Sequence, residues 1–165
     1  MKLKIVFIFA FVNYSCFSSN DSVYPIQTND KLAFKLDGEI WRPRDKNYIL
    51  YGLPVNTAIV DFPLNRNWGY IGGGNYINSP SEYFSINFRT NRNEVQLNNK
   101  YFIKDTTLNV LKNVTFSKGS DVYNAIDGFF KLKDTLNRGF KGDFEFVLKS
   151  KSNKEIRITE GVFNF

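Results

Sequence analysis

The sequence predicts an all-β fold, an antiparallel β-sandwich or flattened barrel of about nine or ten strands, and three observations predict it. Residues 126–165 alternate apolar and polar side chains in three runs joined by short turns. Similar runs recur along the rest of the chain at intervals of about 8–12 residues, with no long amphipathic helix between them. Aromatic residues make up 17% of the chain, with 17 Phe and 9 Tyr, a composition that suits strands packed face to face. The expected organisation is a signal peptide over 1–15, a lipidated Cys16 with a flexible tether over 16–30, and a single β-domain over 31–165.

The leader comes first. Lys2 and Lys4 give a positive start, and Ile5 to Val12 form an apolar core too short to span a bilayer, which takes about 20 residues. Ser15 and then Cys16, the only cysteine, follow. This is the layout of a targeting segment. Cys16 resembles the lipid-modified cysteine of a bacterial lipobox, although Asn13 stands where a leucine is typical. The alternatives are cleavage after Ser18 or Ser19, which yields a soluble secreted protein, and a leader retained as an uncleaved anchor. Loss of residues 1–15 removes two lysines and lowers the formal net charge from +6 to +4. The remaining basic residues are interspersed with Asp, Glu and Asn, not gathered into the stripe that nucleic acid requires, so nucleic acid is not an expected partner. Phe17 to Asp30 is polar and reads as a tether.

The β-domain begins near Lys31. Leu32, Phe34 and Leu36 alternate, Asp37-Gly38 is a strong two-residue hairpin signal, and Glu39-Ile40-Trp41 returns. Arg42-Pro43-Arg44 ends that strand, because proline has no N–H for the ladder. Lys46 to Tyr51 and Thr57 to Phe62 read as short strands joined through Gly52 to Asn56.

Phe62 to Pro80 is rich in Asn, Gly and aromatic residues. Gly72-Gly73-Gly74 lacks the following Lys-Ser/Thr and helix of a phosphate loop and is expected to be a turn or bulge between strands. Glu82 to Arg89 is a strand with Phe84, Ile86 and Phe88 inward, and Thr90 to Asn93 is a turn. Val95, Leu97 and Tyr101 to Ile103 mark further strand. Leu108, Val110, Val114 and Phe116 share one parity and suggest a long strand, with a helical turn over 106–112 as the competing reading. Ser117 to Asn124 reads as a loop.

The C-terminal region is the most regular. Ile126, Gly128, Phe130 and Leu132 alternate with polar positions. Phe140, Phe144, Phe146 and Leu148 share one face of the next strand, and Lys141, Asp143, Glu145 and Lys149 share the other. Lys151 to Lys154 forms a hairpin turn. The last strand starts with Ile156 and Ile158 inward but ends with Phe163 and Phe165 on the opposite parity. One extra residue near Glu160-Gly161 reconciles the two phases, so a β-bulge is expected there.

With these elements in place, the chain resembles a group of Bacteroidota cell-envelope lipoproteins. The likeness rests on Cys16 with its polar tether, on Phe34, Asp37, Gly38 and Trp41, on Gly142, Phe144 and Phe146, and on Ile158, Thr159, Gly161 and Phe163. It covers about residues 32–42 and 123–165. It implies a β-domain in the cell envelope and brings no catalytic residues; with the lipobox reading of Cys16, the expected place is the outer membrane, on its periplasmic or surface face.

The residue inventory narrows the chemistry. The chain has no histidine, which removes the usual neutral-pH general base, the Ser-His-Asp and Cys-His arrangements and the commonest zinc ligand. Asp61, Glu82, Asp127 and Glu160 are the carboxylates open to hydrolase chemistry, but their spacing singles out no pair. No calcium-loop sequence is present. The expectation is therefore a non-enzyme without metal or cofactor. Trp68, Tyr70, Tyr76 and Tyr83, with Asn65, Asn67, Asn75 and Asn78, form an aromatic and amide-rich centre suited to a sugar ring or peptide edge. Trp68, Tyr70, Asn75 and Tyr76 are the binding candidates, with core packing as the alternative role. A glycan or an envelope protein is the expected partner, and the oligomeric state is left open. Ser22, Thr106 and Thr135 each follow an aspartate in a pattern that resembles the acceptor sites of Bacteroidota protein O-glycosylation.

Overall fold

A computed structural model describes residues 25–44, 49–50, 53–54, 58–61, 69–77, 79–89, 96–105, 110–134 and 141–165. Among them there is no helix. The strands are β1 (Leu32–Leu36), β2 (Glu39–Trp41), β3 (Ile49–Leu50), β4 (Leu53–Pro54), β5 (Ile59–Asp61), β6 (Gly69–Asn75), β7 (Glu82–Phe88), β8 (Lys100–Phe102), β9 (Leu111–Lys118), β10 (Asp121–Asp134), β11 (Lys141–Ser150) and β12 (Glu155–Asn164). β3 and β4 form a separate hairpin. The other ten make one antiparallel sheet in the order β2-β1-β12-β11-β10-β9-β7-β6-β5, with β8 added against β10.

The sheet is strongly curled into a half-barrel, as the all-β reading requires. Its concave side is the core. Phe34, Phe84, Phe88, Phe116, Phe130, Phe144, Phe146 and Phe163 are fully buried there. The rings stack across the curl: Phe84 lies 4.7 Å from Phe34 and 5.3 Å from Phe144, and Phe34 lies 4.5 Å from Trp41. Beyond β2, the Arg44 N–H donates to the Gly74 carbonyl at 2.7 Å and the Tyr76 N–H donates to the Arg44 carbonyl at 2.9 Å. These bonds tie the β2 side of the curl to the far end of β6.

Local chemistry explains the hairpins. Asp37 and Gly38 both have positive φ, 49° and 92°, as a turn of the Asp-Gly type demands. The Asp37 carboxylate also accepts the Arg157 N–H at 2.7 Å, locking the turn to β12. Glu160 has φ 51° and lies where the β11–β12 register shifts between Phe144 and Phe146. This is the bulge the phase change predicts. It lets Ile156 and Ile158 on one side, and Phe163 on the other, all reach the core.

Several expectations need correction. Gly72 to Gly74 lie in the middle of β6, not in a turn or bulge. Neighbouring groups occupy the space a Cβ would need: the Tyr70 ring at Gly72, Pro43 at Gly73 and the Tyr76 ring at Gly74. Ser117 to Asn124 is not a loop but the end of β9, a tight turn at Gly119 with φ 59°, and the start of β10. Its polar residues face outward while Tyr123 is buried. Ile126 is 41% exposed, because the β10–β11 register shifts between Ala125 and Asp127 and turns it off the core face. β4 falls within the stretch read as a connection. Residues 25–30, expected to belong to the tether, are held against the sheet. Arg42 donates to the Asp30 carboxylate at 3.1 Å and to the Pro25 carbonyl at 3.0 Å, and the Asn164 amide donates to the Thr28 carbonyl at 3.2 Å. The leader with Cys16, the candidate modification sites Ser22, Thr106 and Thr135, Trp68, Phe140 and the 90–93 turn lie outside the described residues.

Candidate functional site

Alternation along β6 separates the candidates the sequence groups together. Gly69, Ile71, Gly73 and Asn75 share the concave side; Tyr70, Gly72 and Gly74 share the convex side, and Tyr76 follows. Tyr70 leans forward along the strand and covers Gly72. Tyr76 leans back and covers Gly74, where a methyl group would meet the Tyr76 ring. Opposite Gly74 in register stands Tyr83 of β7, whose hydroxyl is hydrogen-bonded to the Tyr70 hydroxyl. Tyr76 and Tyr83 remain 44% and 37% exposed. Burial of the rest of the Tyr83 ring pushes its phenol above the ordinary value, so it stays a neutral donor and acceptor.

On β7 and β9 the convex positions beside this tyrosine plate are polar and uncharged. Ser85 and Asn87 continue it on β7, and Asn113, Thr115 and Ser117 face them on β9. The Ser85 and Thr115 hydroxyls bond to one another at 2.8 Å. Along β9 the first charge beyond them is Lys112, at the register shift past Asn113. Ile59 of β5, opposite Gly72, is 58% exposed and borders the plate. Asp61 stands opposite Tyr70 in register.

Asn75 faces the other way. It is 6% exposed, and its side-chain oxygen has no hydrogen-bond partner among the described residues. Its register neighbour Glu82 is 4% exposed, accepts the Trp41 indole N–H at 2.8 Å and pairs with Lys118 Nζ at 2.8 Å. The hydrogen bond and charge of Glu82 raise the Lys118 pKa. Glu82 is thus a structural carboxylate that satisfies a buried indole.

The remaining convex surface, over β10, β11 and β12, is charged. A groove of about 300 Å³ there is lined by Ile26, Phe129, Phe144 and Val162 together with Asp143, Glu145 and Glu160. Lys133 pairs with Asp143 and Lys35 with Glu160, each at 2.6 Å. Two of its three carboxylates are therefore engaged by ammonium groups instead of standing as a free acid and base. Asp127 lies apart, exposed and paired with Lys104, which together with the Gly128 N–H lowers its pKa. Among the described residues no group of three or more His, Cys, Asp or Glu is placed to hold a metal, and no helix is long and apolar enough to cross a membrane.

The sequence points to Tyr70, Tyr76 and Tyr83 but not to Ser85, Asn87, Asn113, Thr115 and Ser117. The signal of these five is the polar half of the alternation in β7 and β9, but only strand pairing puts them beside the tyrosines. Comparison with family models, with curated proteins and with solved structures gave no match.

Proposed function

We propose that this chain is a non-catalytic, lipid-anchored protein of the bacterial cell envelope whose β-domain is a ligand- or partner-binding module. The observation that carries the binding role is the tyrosine plate: three aromatic rings gathered over glycine backbone on the outside of a rigid sheet. Aromatic side chains left on a surface sacrifice burial that the core would reward, and they supply large contact area with a polar tip. The anchor rests on the order of apolar leader, Cys16 and polar stretch in the sequence. The reading takes no catalytic residue, metal or cofactor.

Two measurements test it. Surface iodination of the purified full chain followed by mass spectrometry should label Tyr76 and Tyr83, and adding cell-envelope material should protect both. Equal labelling with and without that material counts against the plate. Metabolic labelling with a palmitate analogue should mark the wild type and not Cys16→Ala; an unlabelled wild type in the soluble fraction removes the anchor and favours a secreted protein.

A second reading, an accessory subunit of an envelope assembly, draws on the same plate, since protein interfaces are enriched in Tyr and depleted of charge at their centre. Co-migration with a larger complex that is lost in Tyr76→Ala would favour it.

A further inference from the structure

We infer that the plate takes an uncharged carbohydrate chain, laid across β6, β7 and β9. This inference rests on the binding-module reading and names its ligand class.

The convex face is divided by charge. On β10 to β12 and β1 the outward positions carry Lys131, Lys133, Asp143, Glu145, Arg157, Glu160 and Lys35. On β6, β7 and β9 the outward positions alongside the tyrosines carry hydroxyls and amides. A polyanion would be recognised by several basic groups and a polycation by several carboxylates; the described positions beside the rings on β7 and β9 carry neither, and Asp61 of β5, opposite Tyr70, is a single carboxylate at the border. What those positions offer is a supply of neutral donors and acceptors, which suits ligand hydroxyl groups.

Ring geometry supports the same class. Tyr70 and Tyr76 lie down over Gly72 and Gly74, positions two residues apart and so about 7 Å apart along the strand. Their tips form a low surface, not a socket. Protein hot spots are anchored by side chains that fill desolvated pockets, whereas Tyr70 and Tyr76 lie flat against the strand. A low aromatic surface instead presents ring faces, against which the C–H face of a sugar ring packs while its hydroxyls reach the edge. At that edge stand the Tyr83 hydroxyl, Asn87, Asn113 and Ser117. The glycines are part of the device: any side chain at 72 or 74 would lift a tyrosine off the sheet.

The test is titration calorimetry of the full chain with neutral hexasaccharides of glucose, mannose and xylose, an oligogalacturonate, a chitosan hexamer and an uncharged peptide. At least one neutral hexasaccharide should bind, with an affinity insensitive to salt. Tyr76→Ala should weaken it about tenfold, the loss expected for one aromatic stacking contact, and Tyr76→Phe should retain it. Gly74→Ala, which meets the Tyr76 ring, should weaken it similarly without a change in circular dichroism. Preferential, salt-sensitive binding of the galacturonate or chitosan overturns the neutral-carbohydrate class. Peptide binding that is lost in the tyrosine variants, with no sugar bound, overturns the carbohydrate class while sustaining the binding module. Absence of any ligand whose binding depends on Tyr76 or Tyr83 overturns both.

Discussion

The indole N–H of Trp41 donates to the carboxylate of Glu82 at 2.8 Å inside the sheet, between residues 41 positions apart in the chain. β2 and β7 are not hydrogen-bonded neighbours. The bond therefore spans the concave side and fastens one flank of the curl to the other.

Cutting that bond should weaken the whole domain. Glu82→Ala leaves a buried indole N–H without an acceptor and Lys118 without its partner, and should cost about 2–3 kcal/mol in urea unfolding. Glu82→Gln keeps an acceptor for Trp41 and should cost less. The pH dependence follows from the raised Lys118 pKa. A raised basic group contributes stability that is fully present below the ordinary lysine value and is lost as pH climbs through the folded-state value. The unfolding midpoint of the wild type should therefore fall in strong alkali, and that of Glu82→Gln should fall less.

Phe84 lies inside the aromatic cluster, in ring contact with Phe34, Trp41 and Phe144. Phe84→Ala should cost about 3–5 kcal/mol, since the surrounding rings cannot close on the space left. Val122 is 48% exposed on β10, and Val122→Ser should stay within about 0.5 kcal/mol of the wild type. Similar losses at both positions would contradict the assignment of the core to the concave side.

Gly128 and Gly38 both have positive φ but differ in surroundings. At Gly128, φ 120°, a Cβ would collide with the Glu145 carbonyl; at Gly38, φ 92°, it would meet nothing within 4 Å. Gly38→Ala should cost about 1–2 kcal/mol from the backbone conformation alone. Gly128→Ala adds a clash with a neighbouring strand and should cost about 3 kcal/mol or more. Thermal unfolding of the pair should rank them in that order.

Tyrosine ionisation followed by ultraviolet absorbance should show a phenol that titrates above the ordinary value, absent in Tyr83→Phe. Its shift comes from burial. Because the folded state disfavours the phenolate, the associated stability is complete below the ordinary phenol value and is lost as pH rises through the folded-state one. Normal titration of every tyrosine would mean that the plate is more open than the packing over Gly72 and Gly74 indicates.

Local signals were enough for much of the fold. The alternation of Phe144, Phe146 and Leu148, the Asp37-Gly38 turn, and the phase change that places a bulge at Glu160 can each be read within a few residues, because strand periodicity and turn chemistry are short-range properties. The all-β class and an inward-facing phenylalanine core follow from them. Other features depend on which strands become neighbours. Trp41 meets Glu82, Arg44 reaches Gly74, and Tyr83 bonds Tyr70 only because the sheet curls and pairs β6 with β7. The same pairing turned Gly72 to Gly74 into strand, sent Asn75 inward and left the tyrosines outside. A sequence lists which side chains can pack, donate or stack; the curl decides which of them share a surface, since contacts between distant residues depend on strand order and register.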